Sequence, residues 1–424
     1  MIQSNQYRHQ IGQSARPDES IQSIIGDIES MVIKQGDAAL IRLSQQFDGV
    51  SHMDSLVVPQ SDVDHAFTQL SPSLLTALET AHGQIKTFHR HQLPTNWSHS
   101  PDDGVTYGMR YHPIQSVGIY VPGGRALYPS SVLMNAVPAQ LAGVSSIVMT
   151  TPPQSNGHIH PVILVAAHLS GVHTIIKSGG AQAIFALAYG TESVPKVDKI
   201  VGPGNKYVDA AKKRVFGQVG IDKPAGPSEV AIWIDDSKWS HFAGWECLAQ
   251  LEHDPDARAV VVAPNDMILR HVQDVLPELL RHCDRVAILK QSMVNIDWVV
   301  ATDTDDGMDL LNQIASEHVV VLSDQATALS ERIYYAGTVF IGPYTPVAAG
   351  DYMAGPNHVL PTDRAARFSS ALGVMDFMTS ASTLHLNQMR LELMAPTIQE
   401  LASLEGLDAH YKSVNARLGM GMSF

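Results

Sequence analysis

From residue 117 onward, short β-branched runs alternate with helical stretches. The runs at 117–121, 146–150, 174–177 and 199–201 are separated by VLMNAVPAQLAG, PVILVAAHLSG and AQAIFALAYG. Strand and helix in strict alternation argue for a parallel sheet with crossover helices. A second series of runs follows at 229–234, 259–263, 286–289, 298–301, 318–322 and 338–341. The expected fold class is therefore α/β, with two parallel-sheet domains in series. The first hundred residues read as mainly helical, over 20–48 with a Gly36-Asp37 turn and over 60–92. Beyond 346 the chain is rich in Gly and Pro, and it reads as helical from about Ser382 to the end. The expected division is 1–105 (helical segment), 106–225 (first α/β domain, cofactor side), 226–380 (second α/β domain, metal and catalytic residues) and 381–424 (helical tail).

Composition narrows the function. The 424 residues are 45% hydrophobic and carry a formal charge of −14. There is enough apolar mass for a large core, and an acidic balance argues against a nucleic-acid binder or a polybasic membrane-surface protein. The first twenty residues are polar and no apolar stretch is long enough to span a bilayer, so a cytoplasmic protein is expected. Two cysteines, Cys247 and Cys283, exclude a disulfide framework and a Cys-rich zinc site. The 20 histidines direct attention to ligand and acid–base spacings.

Four glycine-rich turns stand after expected strands: Pro122-Gly123-Gly124, Gly179-Gly180-Ala181-Gln182, Gly202-Pro203-Gly204-Asn205 and Ala225-Gly226-Pro227-Ser228. One alone reads as a tight turn, but four on one sheet edge suggest a ligand crevice. None is a GxGxxG, and the GxG at Gly419 and Gly421 has no helix after it. Gln250 and His253 stand three apart in an expected helix and so share a face. That pair could hold one ion or simply be solvated. Glu317-His318 opens a β-rich run and offers a base beside a proton shuttle, provided both lie before the strand. Asp351 and His358 fall in an irregular Gly-rich segment, where polar residues serve function or turn geometry. Glu405 and His410 would by themselves read as surface residues, as would His89, His91, His158, His160, His282 and His385 unless buried. Cys247 has no base in view and reads as a buried apolar residue.

Taken together, VGIYVPGGRALYPSSVLMNAVPAQLAGV, SGGAQAIFALAYGTESVPKVDKIVGPGNKYVDAAK, GQVGIDKPAGPSEV, QLEHDPDA, ASEHVVV, GDYMAGPNHVLPT and EGLDAH resemble the histidinol dehydrogenase family, in that family's order and over about residues 20 to 415. The resemblance implies two incomplete Rossmann-like domains, and oxidation of L-histidinol through L-histidinal to L-histidine with zinc and two NAD+. It implies zinc ligands at Gln250, His253, Asp351 and His410, and a catalytic pair at Glu317 and His318. Further substrate contacts are implied at Ser228, His358 and Glu405, and NAD contacts at Tyr120, Gln182 and Asn205. It also implies a homodimer whose C-terminal tail reaches the partner's site. Thr379-Ser380 stand where the family often has a basic pair, and Ala249 where a Ser is usual. The alternatives are a related dehydrogenase of another small alcohol, such as a sulfonated diol, and a non-catalytic zinc- or dinucleotide-binding homologue.

Overall fold

The alternating runs become strands buried on both faces, as parallel sheets covered by crossover helices require. The computed structural model describes residues 1–11, 19–51, 53, 55–123, 127–223 and 226–419. In chain order the strands are β1 (Ile2–Gln3), β2 (Trp97–His99), β3 (Val105–Pro113), β4 (Ser116–Tyr120), β5 (Ser146–Thr151), β6 (Thr174–Lys177) and β7 (Lys199–Val201). They continue as β8 (Gly220–Ile221), β9 (Glu229–Ile234), β10 (Arg258–Ala263), β11 (Ile296–Val300), β12 (His318–Leu322), β13 (Thr338–Ile341) and β14 (Met378–Leu386). The chain divides into two compact units, Met1–Gln92 with Ile114–Phe377, and Leu93–Pro113 with Met378–Phe424.

The first unit holds two parallel sheets, so the α/β class expected from the sequence is what the chain adopts. One has the order β6-β5-β4-β7-β8, in which the strand order reverses between β4 and β7. The other has the order β1-β11-β10-β9-β12-β13 and reverses between β9 and β12. The helices Glu19–Gln35, Asp37–Phe47, Gly180–Tyr189 and Lys206–Val215 pack on one face of the first sheet, around Leu40, Leu43, Tyr120, Ile176, Phe185 and Ile200. The second sheet is covered on one side by Leu248, Leu251, Leu269 and Leu276, and on the other by Met308, Leu311 and Ile314 with Trp233. Trp233 is fully buried.

Within the second unit, β14 pairs antiparallel with β3 from Met378↔Pro113 to Leu386↔Val105, and β2 lies on the other side of β3. Asn387 then caps the helix Gln388–Leu404 by accepting from the Arg390 N–H at 2.9 Å, and the helix Asp408–Arg417 follows.

Several local expectations are corrected. Residues 286–289 form part of a helix, Val286–Ser292, not a strand. Val286 and Ile288 are β-branched, but Ala287 and the following LKQ are helix-favouring and only Leu289 and Ser292 are buried, so one-sided burial decides. The strand expected at 298–301 begins earlier, at Ile296. The C-terminal region is not helical from Ser382: β14 runs to Leu386, held by a partner strand far away in sequence. Asp351 lies on a short helix, Val347–Tyr352, rather than in irregular chain. The helix carrying Gln250 ends at Leu251, so His253 stands just past its C-cap, tethered by its N–H to the Gln250 carbonyl at 3.4 Å. Of the glycine-rich turns, Gly124 and Ala225 lie outside the described residues, as does Gly421.

Candidate active site

The carboxyl ends of the first sheet gather several residues singled out in the sequence. Tyr120 ends β4, and its hydroxyl accepts from the Gly180 N–H at 3.1 Å, at the start of the helix Gly180–Tyr189. Burial pushes the Tyr120 phenol up to about 12, and Asp48 adds to the rise. Gln182 lies in the first turn of that helix and is 1% exposed. Across the reversal point, Asn205 caps the helix Lys206–Val215, accepting from the N–H groups of Tyr207 and Val208 at 3.0 and 3.1 Å. The turn before it requires glycine. Gly202 has a φ of 113°, and a Cβ there would stand 2.1 Å from the Tyr120 carbonyl oxygen. The turn is clamped from beneath: the Gly202 N–H donates to Asp222 Oδ2 at 2.8 Å, and Lys212 Nζ donates to the Gly202 carbonyl at 2.9 Å. Lys212 and Asp222 also pair with each other, both side chains being 2% exposed.

The second sheet offers the opposite edge. Glu317 and His318 stand at the amino end of β12, and Ser228 and Glu229 at the amino end of β9. Glu317 precedes the strand, so the alternation of strand side chains does not separate it from His318. His318 Nδ1 is 3.1 Å from Gln250 Oε1 and 3.8 Å from Glu317 Oε2, and His318 Nε2 is 3.9 Å from Asp351 Oδ1. An amide oxygen only accepts, so Nδ1 carries the proton and Nε2 the lone pair. That Nε2 is buried with no hydrogen-bond partner among the described residues, and so is Gln250 Nε2.

Burial governs the charges here. It pushes the His318 imidazole down to about 3, helped by His253 and His358. It holds the Glu317 carboxyl well above the usual range, while the Glu229 N–H (2.9 Å) and the Ser228 hydroxyl pull it back. Burial thus disfavours charge on both members of the pair at 3.8 Å. Asp351 rises to about 7 through burial and then Glu246. His358 falls to about 4 by burial; its Nδ1–H donates to the Asp351 carbonyl at 2.9 Å, and its Nε2 meets the Ser131 hydroxyl at 3.4 Å. His253, though open on one side, is also lowered, by burial and then by Arg285.

Gln250, His253, Glu317, His318, Asp351, His358 and Ser228 are thus neighbours in the first unit. Glu405 and His410 belong to the second unit, where Glu405 caps the C-terminus of Gln388–Leu404, His410 lies in the first turn of Asp408–Arg417, and both are exposed. Two residues that sequence spacing did not single out support the cluster. Glu246 accepts from the Val347 N–H at 3.1 Å and so anchors the helix that carries Asp351. Glu229, raised to about 7 chiefly by burial, fixes Glu317 through its N–H. No short-range motif marks either. Asn357 is a packing residue: it donates to the Met134 carbonyl at 2.7 Å and accepts from Val359 N–H at 2.8 Å. Cys247 is fully buried, its thiol pushed up by burial and by Glu246, which removes it as a nucleophile.

A two-sheet α/β body with a buried Glu–His pair beside an amide and a carboxylate defines an enzyme equipped for acid–base chemistry. The histidinol dehydrogenase family model matches residues 12–418. A histidinol dehydrogenase of Parasynechococcus marenigrum is 45% identical over 403 residues, covering 94% of this chain and 92% of that protein. One of Acinetobacter baylyi is 42% identical over 402 residues, with 94% and 92% covered. The crystal structure of histidinol dehydrogenase from Elizabethkingia anophelis superposes with a TM-score of 0.94 at 32% identity, over 98% of this chain and 96% of that one. The chain belongs to the histidinol dehydrogenase family and is an oxidoreductase. No helix among the described residues is long and apolar enough to cross a membrane.

Proposed function

We propose that this enzyme is a cytoplasmic, zinc-dependent histidinol dehydrogenase that oxidises L-histidinol through L-histidinal to L-histidine with two NAD+, the last step of L-histidine biosynthesis. The observation that carries the reading is His318 Nε2, a buried imidazole lone pair with no partner, whose tautomer is fixed by Gln250. Such an atom is costly to leave without a partner, and it stands unprotonated where a substrate proton can reach it.

Among the described residues no group of three or more His, Cys, Asp or Glu is gathered to hold a metal. The proposed ligands in the first unit include only two of those types, His253 and Asp351, with Gln250 as an amide. Their chemistry fits zinc: imidazole nitrogen, carboxylate oxygen and amide oxygen are all ligand types it accepts, though the amide is unusual. Gln250 Nε2 is buried with no hydrogen-bond partner among the described residues, so its amide is free to turn towards a cation. His410 completes the proposed set.

Zinc would supply Lewis acidity and a fixed point for the substrate, and NAD+ the hydride acceptor. His318 Nε2 receives the alcohol proton in the first oxidation. Glu317, held by the Glu229 N–H and the Ser228 hydroxyl, takes a proton from the water that adds to the aldehyde. His318, having passed its first proton to solvent, then takes the proton of the hydrated aldehyde in the second oxidation. His358 and Ser228 orient the substrate, and Glu405 pairs with one of its N–H groups. No thioester is needed, in keeping with the inert Cys247. In this reading 106–225 is the cofactor side, with Tyr120, Gln182 and Asn205 as NAD contacts, 226–380 the metal and catalytic side, and 381–424 a tail that reaches the partner's site in a homodimer. Leu393, Leu401 and Leu404 on the tail helix are 68%, 57% and 85% exposed, apolar surface that a second subunit would cover.

The metal assignment is tested by prolonged chelation and metal analysis. Turnover should vanish with the zinc and return when zinc is restored, and His253→Ala should lose both. Full activity in a verified metal-free preparation would overturn it.

A further inference from the structure

In the mechanism proposed above Glu317 takes a proton from water in every turnover. Glu317 is buried, and that proton must leave before the next turnover begins. A second carboxyl stands beside it. Strands β9 and β12 pair in parallel with His318 opposite Val230, so one position back Glu317 lies next to Glu229. The two residues hold each other. The Glu229 N–H donates to Glu317 Oε2 at 2.9 Å, and the Glu317 N–H donates to the Glu229 carboxyl. Glu229 Oε1 is buried with no hydrogen-bond partner among the described residues, and native structures keep few such atoms.

Glu229 also touches the wall of a cavity. The Asp363 N–H donates to the same carboxyl. Asp363 is left-handed, with a φ of 51°, and its neighbour Thr362 accepts from the Gly226 N–H at 2.5 Å. Gly226, Thr362 and Asp363, with Lys223 and Phe368, line a cavity of about 360 Å³. Phe368 is exposed, so the cavity meets solvent. Burial chiefly raises the Glu229 carboxyl to about 7; the Glu317 N–H lowers it, the Asp363 charge raises it, and the Asp363 N–H and Arg258 lower it. Arg258 is the register partner of Glu229 on β10, and the nearby Tyr7 hydroxyl donates to Asp297 at 2.9 Å. A carboxyl that titrates near neutrality both accepts and releases a proton readily.

We infer that Glu229 relays to this cavity the proton that Glu317 takes from water, which returns Glu317 to its basic form for the next turnover. The water's hydroxyl goes to the aldehyde carbon. Its proton goes to Glu317, then to the Glu229 carboxyl, and then to water in the cavity. Only O–H bonds form and break along the relay, and one proton reaches solvent. Glu229 thus acts through Glu317 and touches no reacting atom itself. The inference rests on the reading of Glu317 as the water activator.

Rapid mixing of zinc-loaded protein with histidinal and excess NAD+ separates the first turnover from later ones. Glu229→Gln keeps an oxygen for both N–H donors but cannot carry the proton. Its first turnover should run at the wild-type rate, because Glu317 starts as a base. Later turnovers should fall by about 10–100-fold, less than the loss of a general base outright. Glu229→Ala leaves room for a small acid, and added formate should restore its later turnovers. A purely structural role would slow the first turnover as much as the rest. A folded Glu229→Gln whose first and later turnovers change equally, or not at all, would overturn the relay, as would a Glu229→Ala indifferent to formate. Glu317→Gln is measured alongside. If its first turnover of histidinal matches the wild type, the reading of Glu317 fails, and this inference with it.

Discussion

His318 and Glu317 are adjacent in sequence, and the proposed mechanism gives them different proton transfers. Gln250 fixes the His318 tautomer and leaves Nε2 as the acceptor, whereas Glu317 keeps a carboxyl whose proton affinity burial has raised. Glu317→Gln keeps the shape and removes the base. It should slow oxidation of histidinal by ~10²–10⁴-fold and the first hydride transfer far less. Single-turnover measurement of each half-reaction would show this, and equal slowing would count against Glu317 as the water activator. Asp48 gives a pH signature in the unliganded protein. Burial holds its carboxyl at about 6, with the Ser44 hydroxyl pulling it partly back, against about 3.9 in an unfolded chain. The folded state thus binds this proton more tightly. Its contribution to stability is fully present below about pH 4 and is lost as pH rises through about 6. Asp48→Asn should therefore melt higher than the wild type at pH 8, by on the order of 1–2 kcal/mol, with the difference vanishing near pH 4. Denaturation curves at the two pH values decide it. The Glu–His pair was legible in the sequence because both residues lie at a strand entrance. Asp48 and Glu246 were not, because their importance depends on packing between segments distant along the chain.

The proposed site residues lie at different edges of the two sheets. Glycine turns after strands mark the carboxyl edge of the first sheet, and Tyr120, Gln182 and Asn205 lie there. In the second sheet the proposed catalytic and substrate residues Ser228, Glu317 and His318 stand instead at the amino edge, where the carboxyl-end rule does not look. Hydrophobic period reveals strands and helices but not which edge will face a partner sheet. The turn 202–205 depends on the buried Lys212–Asp222 pair, since each member also holds the Gly202 backbone. Lys212→Met would leave Asp222 charged and unpaired, and breaking such a pair costs about 3–5 kcal/mol. The expected result is a lower melting temperature together with weaker NAD+ binding. A variant of unchanged stability would show that the pair is not the clamp. The misread segment 286–289 and the missed strand β14 have one cause: short runs take their form from what they pack against.

For the whole molecule, the proposed site is divided between the two compact units, with the ligand His410 and the substrate contact Glu405 on the second. If the tail serves the partner's site, His253→Ala and His410→Ala should each be nearly inactive alone. Unfolded, mixed and refolded together, they should regain part of the activity, because one site of each heterodimer combines an intact body with an intact tail. A dead mixture with heterodimers demonstrated would refute the crossed tail. The central claim, a four-electron oxidation of histidinol, is tested most directly by stoichiometry. With limiting L-histidinol, excess NAD+ and zinc-loaded protein, the reaction should run to completion at two NADH formed per histidinol, with histidine as product. One NADH per histidinol with histidinal accumulating, or no NADH from histidinol but some from another small alcohol, would contradict the account.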